Sequence, residues 1–171
     1  TKSKQYTLSI RLSTDGFSFS IYNPIHDDSL SIIEKEINAS SSLTANLKTL
    51  FHESDFLNHP YKRVNIMMAG KRFTIAPLEL FEEEQAELLF YHNHQKKENE
   101  TVLYNILRKN NVAVIFGIDK SAQTFLNEQY PEARFYSQST PFIDYFSVKS
   151  RLGNSKKMYA STVSYTHLRA H

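Results

Sequence analysis

The chain has 171 residues, 40% hydrophobic and 22% charged, enough for one domain or one plus a fragment and too apolar for disorder throughout. Four Gly and five Pro exclude collagen-like and low-complexity classes, and the absence of Cys excludes disulfide scaffolds, thiolate metal sites and cysteine nucleophiles together. The net charge of +2 hides an asymmetry, because residues 1–148 hold 15 bases against 18 acids, a balance of −3, and the remaining five bases all follow Asp144.

Residues 6–13 alternate. Tyr6, Leu8, Ile10 and Leu12 fall on one face, and Thr7, Ser9, Arg11 and Ser13 on the other. Residues 17–22 repeat the pattern with Phe17, Phe19 and Ile21. Asp15-Gly16 between them predicts an antiparallel hairpin with a type I′ turn, which needs positive φ at both central residues. A third strand is expected over 29–37 through Leu30, Ile32 and Ile37, with a short helix as its rival. Ser41 or Ser42 caps a helix over about 43–53, whose face carries Leu43, Leu47, Leu50 and Phe51.

Residues 62–69 and 73–76 read as strands around Gly70. The next helix is expected to open with Glu82 to Glu84 in its first turn, where carboxylates suit the positive dipole end, and to bury Phe81, Leu88 and Leu89. Residues 92–100 read as a polar loop and 101–107 as a strand. The apolar run 112–118 has the pattern of a central buried strand. Asp119 or Ser121 caps a helix ending before Pro131, a strand follows at 133–136, and Thr140-Pro141 opens a last helix with Phe142, Ile143 and Phe146 inward. Three locally joined strands followed by alternating helices and strands give an α/β (mixed α+β) order: one mixed sheet with helix cover. It is the order of a ribonuclease H-like lobe, half of the actin-like fold.

The opening hairpin around Thr14-Asp15-Gly16, Phe73-Thr74-Ile75-Ala76-Pro77-Leu78-Glu79-Leu80-Phe81, Val102-Leu103-Tyr104-Asn105 and Ala133-Arg134-Phe135-Tyr136 carry a resemblance. Over about residues 5–160 the chain resembles the amino-terminal lobe of the domain-of-unknown-function family numbered 3822, seen mainly in Bacteroides-type bacteria. That family is similar in fold to actin-like ATPases, which have two ribonuclease H-like lobes. The resemblance implies a ribonuclease H-like lobe over 1–150, then a linker and the start of a second lobe over 151–162. Residues 163–171 resemble a translated sequencing-adaptor tail and are expected to be non-native.

Actin-like ATPases hold phosphate in strand-turn-strand loops reading Asp-X-Gly, where Gly lets backbone N–H groups approach the oxygens. Here Asp15 and Gly16 are adjacent and bulky Phe17 follows, so the residues read first as a hairpin turn. Asp15 and Gly16 remain the cofactor contacts if nucleotide binds. The resemblance allows ATP with Mg²⁺ only in a full-length protein whose second lobe completes the site; no cofactor is expected for this chain. A ribonuclease H-like nuclease needs carboxylates around two metal ions. Strand 6–13 has no acid, only Arg11, and strand 62–69 offers Asn65, so neither catalytic residues nor a metal site are expected.

His92-Asn93-His94 reads as solvated loop, and Glu82, Glu83, Glu84 and Glu87 as helix-start and surface acids. The basic segment 149–157 reads as a solvated linker before a nucleic-acid contact. No apolar leader and no run of about 18 apolar residues occur, so a cytoplasmic protein without a membrane span is expected. The expected function is a non-catalytic binding or assembly module, partnered by its own second lobe or another protein, with an ATP-binding ATPase as the alternative.

Overall fold

The alternation of residues 6–22 becomes two antiparallel strands, β1 (Thr7–Leu12) and β2 (Gly16–Tyr22), with Leu8, Ile10, Leu12, Phe17 and Phe19 buried on one face. This computed structural model describes residues 5–23, 31–141, 143, 159–163 and 166–170. The expectations for Leu30, Phe142, Phe146 and the basic segment 149–157 lie outside the described residues. The chain divides into two compact units: Thr1–Met68 with Asp119–Phe135, and Ala69–Ile118 with Tyr136–His171.

In the first unit β3 (Ser31–Glu36) pairs antiparallel with β2, and β4 (Arg63–Met68) lies parallel to β1. The sheet order is β3-β2-β1-β4-β8, with β8 (Arg134–Ser137) at the second edge. Helix α1 (Leu43–Glu53) is capped by the Ser42 side chain, which accepts from the Ala45 N–H at 3.1 Å. Helix α3 (Lys120–Gln129) is capped by Asp119, which accepts from the Ala122 N–H at 2.9 Å. Leu47, Leu50 and Phe51 of α1 and Ala122 and Leu126 of α3 join Leu8, Ile10, Phe19 and Ile66 of the sheet in one core. Fully buried side chains of this size each contribute about 1.5–3 kcal/mol through removal from water. The other face of the hairpin, with Ser9, Arg11, Ser18 and Ser20, is half-buried.

The second unit corrects the expectation of a single sheet. β5 (Phe73–Pro77), β6 (Glu100–Leu107) and β7 (Val112–Asp119) form a separate three-stranded sheet, ordered β5-β7-β6. The run 112–118 is central and buried as expected, but central to this small sheet. Local pattern reports that a strand is buried on both faces; it does not report which neighbours bury it. In sequence, Ala69–Ile118 is an insertion between β4 and α3 of the first unit.

Helix α2 (Ala86–Asn93) also differs from expectation. Glu83–Gln85 form a 3₁₀ turn, and the α-helix begins only at Ala86, so Glu82 to Glu84 precede it. Its buried residues are Ala86 and Phe90, while Leu88 is 72% exposed. Eight residues give barely two turns, too few for spacing to separate Leu88 from Leu89. The expected loop 92–100 shrinks, because His92 and Asn93 finish α2 and Glu100 opens β6. The last helix is already helical at 139, so Thr140 lies within it instead of capping it. Strands β9 (Tyr159–Val163) and β10 (Thr166–Ala170) pair antiparallel, so part of the stretch expected as a tail forms a ladder. Among the described residues no helix is long and apolar enough to cross a membrane.

Candidate functional site

The turn after β1 is the place where a phosphate contact was expected. Leu12 pairs with Phe17, and the Ser13 N–H donates to the Gly16 carbonyl at 3.1 Å, so Thr14 and Asp15 are the central residues. Among the described residues positive φ occurs only at Asn99, Asn111 and Gly70, which corrects the type I′ expectation at Asp15-Gly16. Instead the Ser13 hydroxyl organises the turn. Its Oγ accepts from the N–H of Asp15 at 3.3 Å and of Gly16 at 3.2 Å, and donates to the Gly16 carbonyl at 2.9 Å. Both amides are therefore engaged within the turn. Gly16 is required for a different reason: a Cβ there would lie 2.6 Å from the backbone oxygen of Lys35 on β3.

A cleft of about 550 Å³ opens at the other end of the same sheet. It lies between the segment entering β4 (57–64) and the segment entering β8 (129–134). β1 and β4 run parallel, so this is the end where they start, about 20 Å from the Asp15 turn at roughly 3.3 Å per residue. Leu57, Val64 and Tyr130, all buried, are among its lining residues, and most of the rest are polar. The Tyr130 hydroxyl donates to the Leu57 carbonyl at 2.6 Å, and the Tyr61 hydroxyl to the Phe56 carbonyl at 2.7 Å, which fixes both rings. Burial raises the pKa of both tyrosines, so both hydroxyls hold their protons more tightly than an exposed tyrosine does. The rim carries exposed Lys62, Arg63 and Arg134 against one carboxylate, Glu132. Sequence reading missed this cleft. Its bases lie 71 positions apart (63 and 134) and meet only because β8 neighbours β4.

The second unit holds a buried charge cluster, also missed. Arg72 binds Glu100 in a fork, Nε to Oε2 at 2.9 Å and Nη2 to Oε1 at 2.6 Å, and Nη2 also donates to the Gln95 carbonyl at 3.0 Å. The Tyr91 hydroxyl donates to Glu100 Oε1 at 2.9 Å. The Glu100 side chain is only 6% exposed. Burial and this bond to Glu100 push the Tyr91 pKa up to about 12. The Glu100 side chain occupies the space where a Cβ on Gly117 would stand. Gly117, the one glycine in an apolar run, was the available signal. His94 lies in the loop after α2, as expected, but it is half-buried and not solvated. Its ring stacks on Phe90 at 4.5 Å, and its Nε2 lies 3.0 Å from the Phe73 carbonyl, which can only accept. Both Glu100 oxygens and the Tyr91 hydroxyl are answered by neighbours, which is the arrangement of a structural clamp.

A second polar knot follows β8. Asn105 Oδ1 accepts from the Ser137 N–H at 3.0 Å and the Thr140 hydroxyl at 2.9 Å, and the Ser137 and Ser139 hydroxyls meet at 2.7 Å. Glu82, Glu83, Glu84 and Glu87 stay on the surface, where a bond to Glu83 and then burial raise the Tyr104 pKa. Among the described residues no group of three or more His, Asp or Glu could hold a metal ion.

A mixed five-stranded sheet with helices packed on it and an inserted antiparallel unit defines a mixed α+β protein of actin-like type. The family model described as Protein of unknown function (DUF3822) matches residues 1–167, and the chain belongs to that family. A solved structure from Bacteroides thetaiotaomicron VPI-5482, described as a protein with actin-like ATPase fold and unknown function, is 81% identical with a TM-score of 0.88. The match covers 95% of this chain and 63% of that one, so this chain spans less than two thirds of its neighbour. At that identity the actin-like ATPase fold holds for this chain as well. No curated protein matches it.

Proposed function

We propose that this chain is a ribonuclease H-like lobe of an actin-like protein that works as a binding or assembly module and does not hydrolyse nucleotide. The order β3-β2-β1-β4-β8, with α1 and α3 packed on one face, supports the lobe. The 63% coverage of the neighbour supports a further lobe in the full-length protein. One observation carries the non-catalytic reading. The Asp15 and Gly16 amides are both spent on Ser13 Oγ, and Gly16 is packed against β3. Opening them to a phosphate costs those bonds and a shift of the β3 edge.

The test is calorimetric titration of the full-length protein with Mg-ATP. The expected result is no saturable heat up to millimolar nucleotide. Tight binding that is lost in Asp15→Ala overturns the reading in favour of the ATP-binding alternative.

A further inference from the structure

The cleft of the first unit collects bases in a stretch of chain that is otherwise acidic. Residues 1–148 carry a net −3, yet Lys62, Arg63 and Arg134 line the cleft against a single carboxylate, Glu132. All four side chains are exposed, and among the described residues none of them takes part in an ion pair. The two arginines are also held side by side. Arg63 opens β4 and Arg134 opens β8, and these strands are neighbours in the sheet. Val64 on β4 lies in the core and Phe135 on β8 packs against it, so alternation turns both arginines to the opposite face. Like charges on neighbouring strands are destabilising unless something answers them.

The walls of the cleft are fixed in advance. The Tyr130 and Tyr61 hydroxyls hold the Leu57 and Phe56 carbonyls. The Asn58 Nδ2 donates to the Phe51 carbonyl at 3.0 Å, and the Lys62 N–H to the Tyr6 carbonyl at 3.0 Å. Pro60 and Pro131 stiffen the two wall segments. A site already rigid gives up little freedom when a ligand enters. Its volume of about 550 Å³ is that of a small-molecule site, and its mostly polar lining suits a polar ligand and not an acyl chain.

We propose that the cleft between the entries of β4 and β8 binds a small organic phosphate, held by the paired guanidinium forks of Arg63 and Arg134 with Lys62 adding charge. One fork matches the two oxygens of a carboxylate, whereas a phosphate has three oxygens and a second charge with which to meet two forks. The site lies at the end of the sheet away from the Asp15 turn, so it goes beyond the assembly-module reading and does not depend on it.

Two-dimensional NMR of the full-length protein, titrated at low salt with inorganic phosphate as the probe and with acetate as the carboxylate control, tests it. Phosphate is expected to shift the amides of residues 57–64 and 129–134 saturably, and acetate to bind about 10-fold more weakly. Arg63→Lys and Arg134→Lys keep the charge but lose the fork, and each is expected to weaken phosphate about 10-fold. Both side chains are exposed, so the melting temperature is expected to hold; Lys62→Gln, with a smaller loss, serves if either variant melts early. Absence of saturable shifts in the two segments overturns the proposal. So do shifts spread equally over distant bases such as Lys48 and Lys96, or an affinity that ignores both Arg→Lys changes. Saturation by a single-stranded oligonucleotide but not by phosphate overturns it in favour of nucleic acid.

Discussion

The two units keep their shape by different means. The first packs Phe17 and Phe56 edge to face on Phe19, and Phe51 edge to face on Phe125, around a continuous aliphatic core, with Phe19 and Phe56 at 5.6 Å. The second has a smaller cluster around Ala76, Ala86, Phe90 and Ile115, and beside it the buried Arg72–Glu100 fork. Apolar burial is non-directional and tolerates small adjustments. A buried ion pair is directional and fails when one partner is removed. The units therefore respond to different perturbations, and the clearest tests separate them.

Phe19→Ala removes a fully buried ring and is expected to cost about 3–5 kcal/mol, read by urea unfolding, with hydrogen exchange accelerating first in residues 7–22 and 43–68. Glu100→Ala removes the carboxylate that Arg72 pairs with and the acceptor of the Tyr91 hydroxyl, leaving Arg72 only the Gln95 carbonyl. The expected cost is about 3 kcal/mol, with faster exchange in β5 to β7 and little change in β1 and β2. Equal acceleration in both units from either variant would dissolve the distinction. Gly16→Ala drives a Cβ into the Lys35 carbonyl, which is backbone and cannot rotate away. A loss of about 1–3 kcal/mol is expected, localised at the β2–β3 edge.

The smallest effect is a pH dependence in the second unit. The folded Tyr91 pKa, about 12, lies above the ordinary 10.0, so the folded state favours the protonated hydroxyl. That contribution is complete below pH 10 and disappears as pH rises from 10 to about 12. Tyr91→Phe is expected to flatten this part of the alkaline stability curve, measured by urea midpoints at successive pH values.

Much of the fold was legible because strong periods need no partner to be read. The hairpin, α1 with its Ser42 cap, and α3 with its Asp119 cap all follow from spacing. What could not be read depends on contacts distant in sequence. Nothing local to Arg72 announces Glu100, 28 residues on. Nothing in 112–118 says that its neighbours are β5 and β6 and not β1. The Asp15-Gly16 pair misled because glycine was read for its φ, whereas Gly16 serves the approach of Lys35. Ser13, three residues ahead of it, carries the turn, and a hydroxyl in that place was a readable signal.

The non-catalytic reading rests on two amides, and two-dimensional NMR of the full-length protein observes them directly. On addition of Mg-ATP, the Asp15 and Gly16 N–H resonances of the wild-type protein are expected to stay where they are. Saturable shifts of those two resonances, with loss of the Ser13 hydroxyl contact, would show that the turn opens to hold phosphate and would contradict the account.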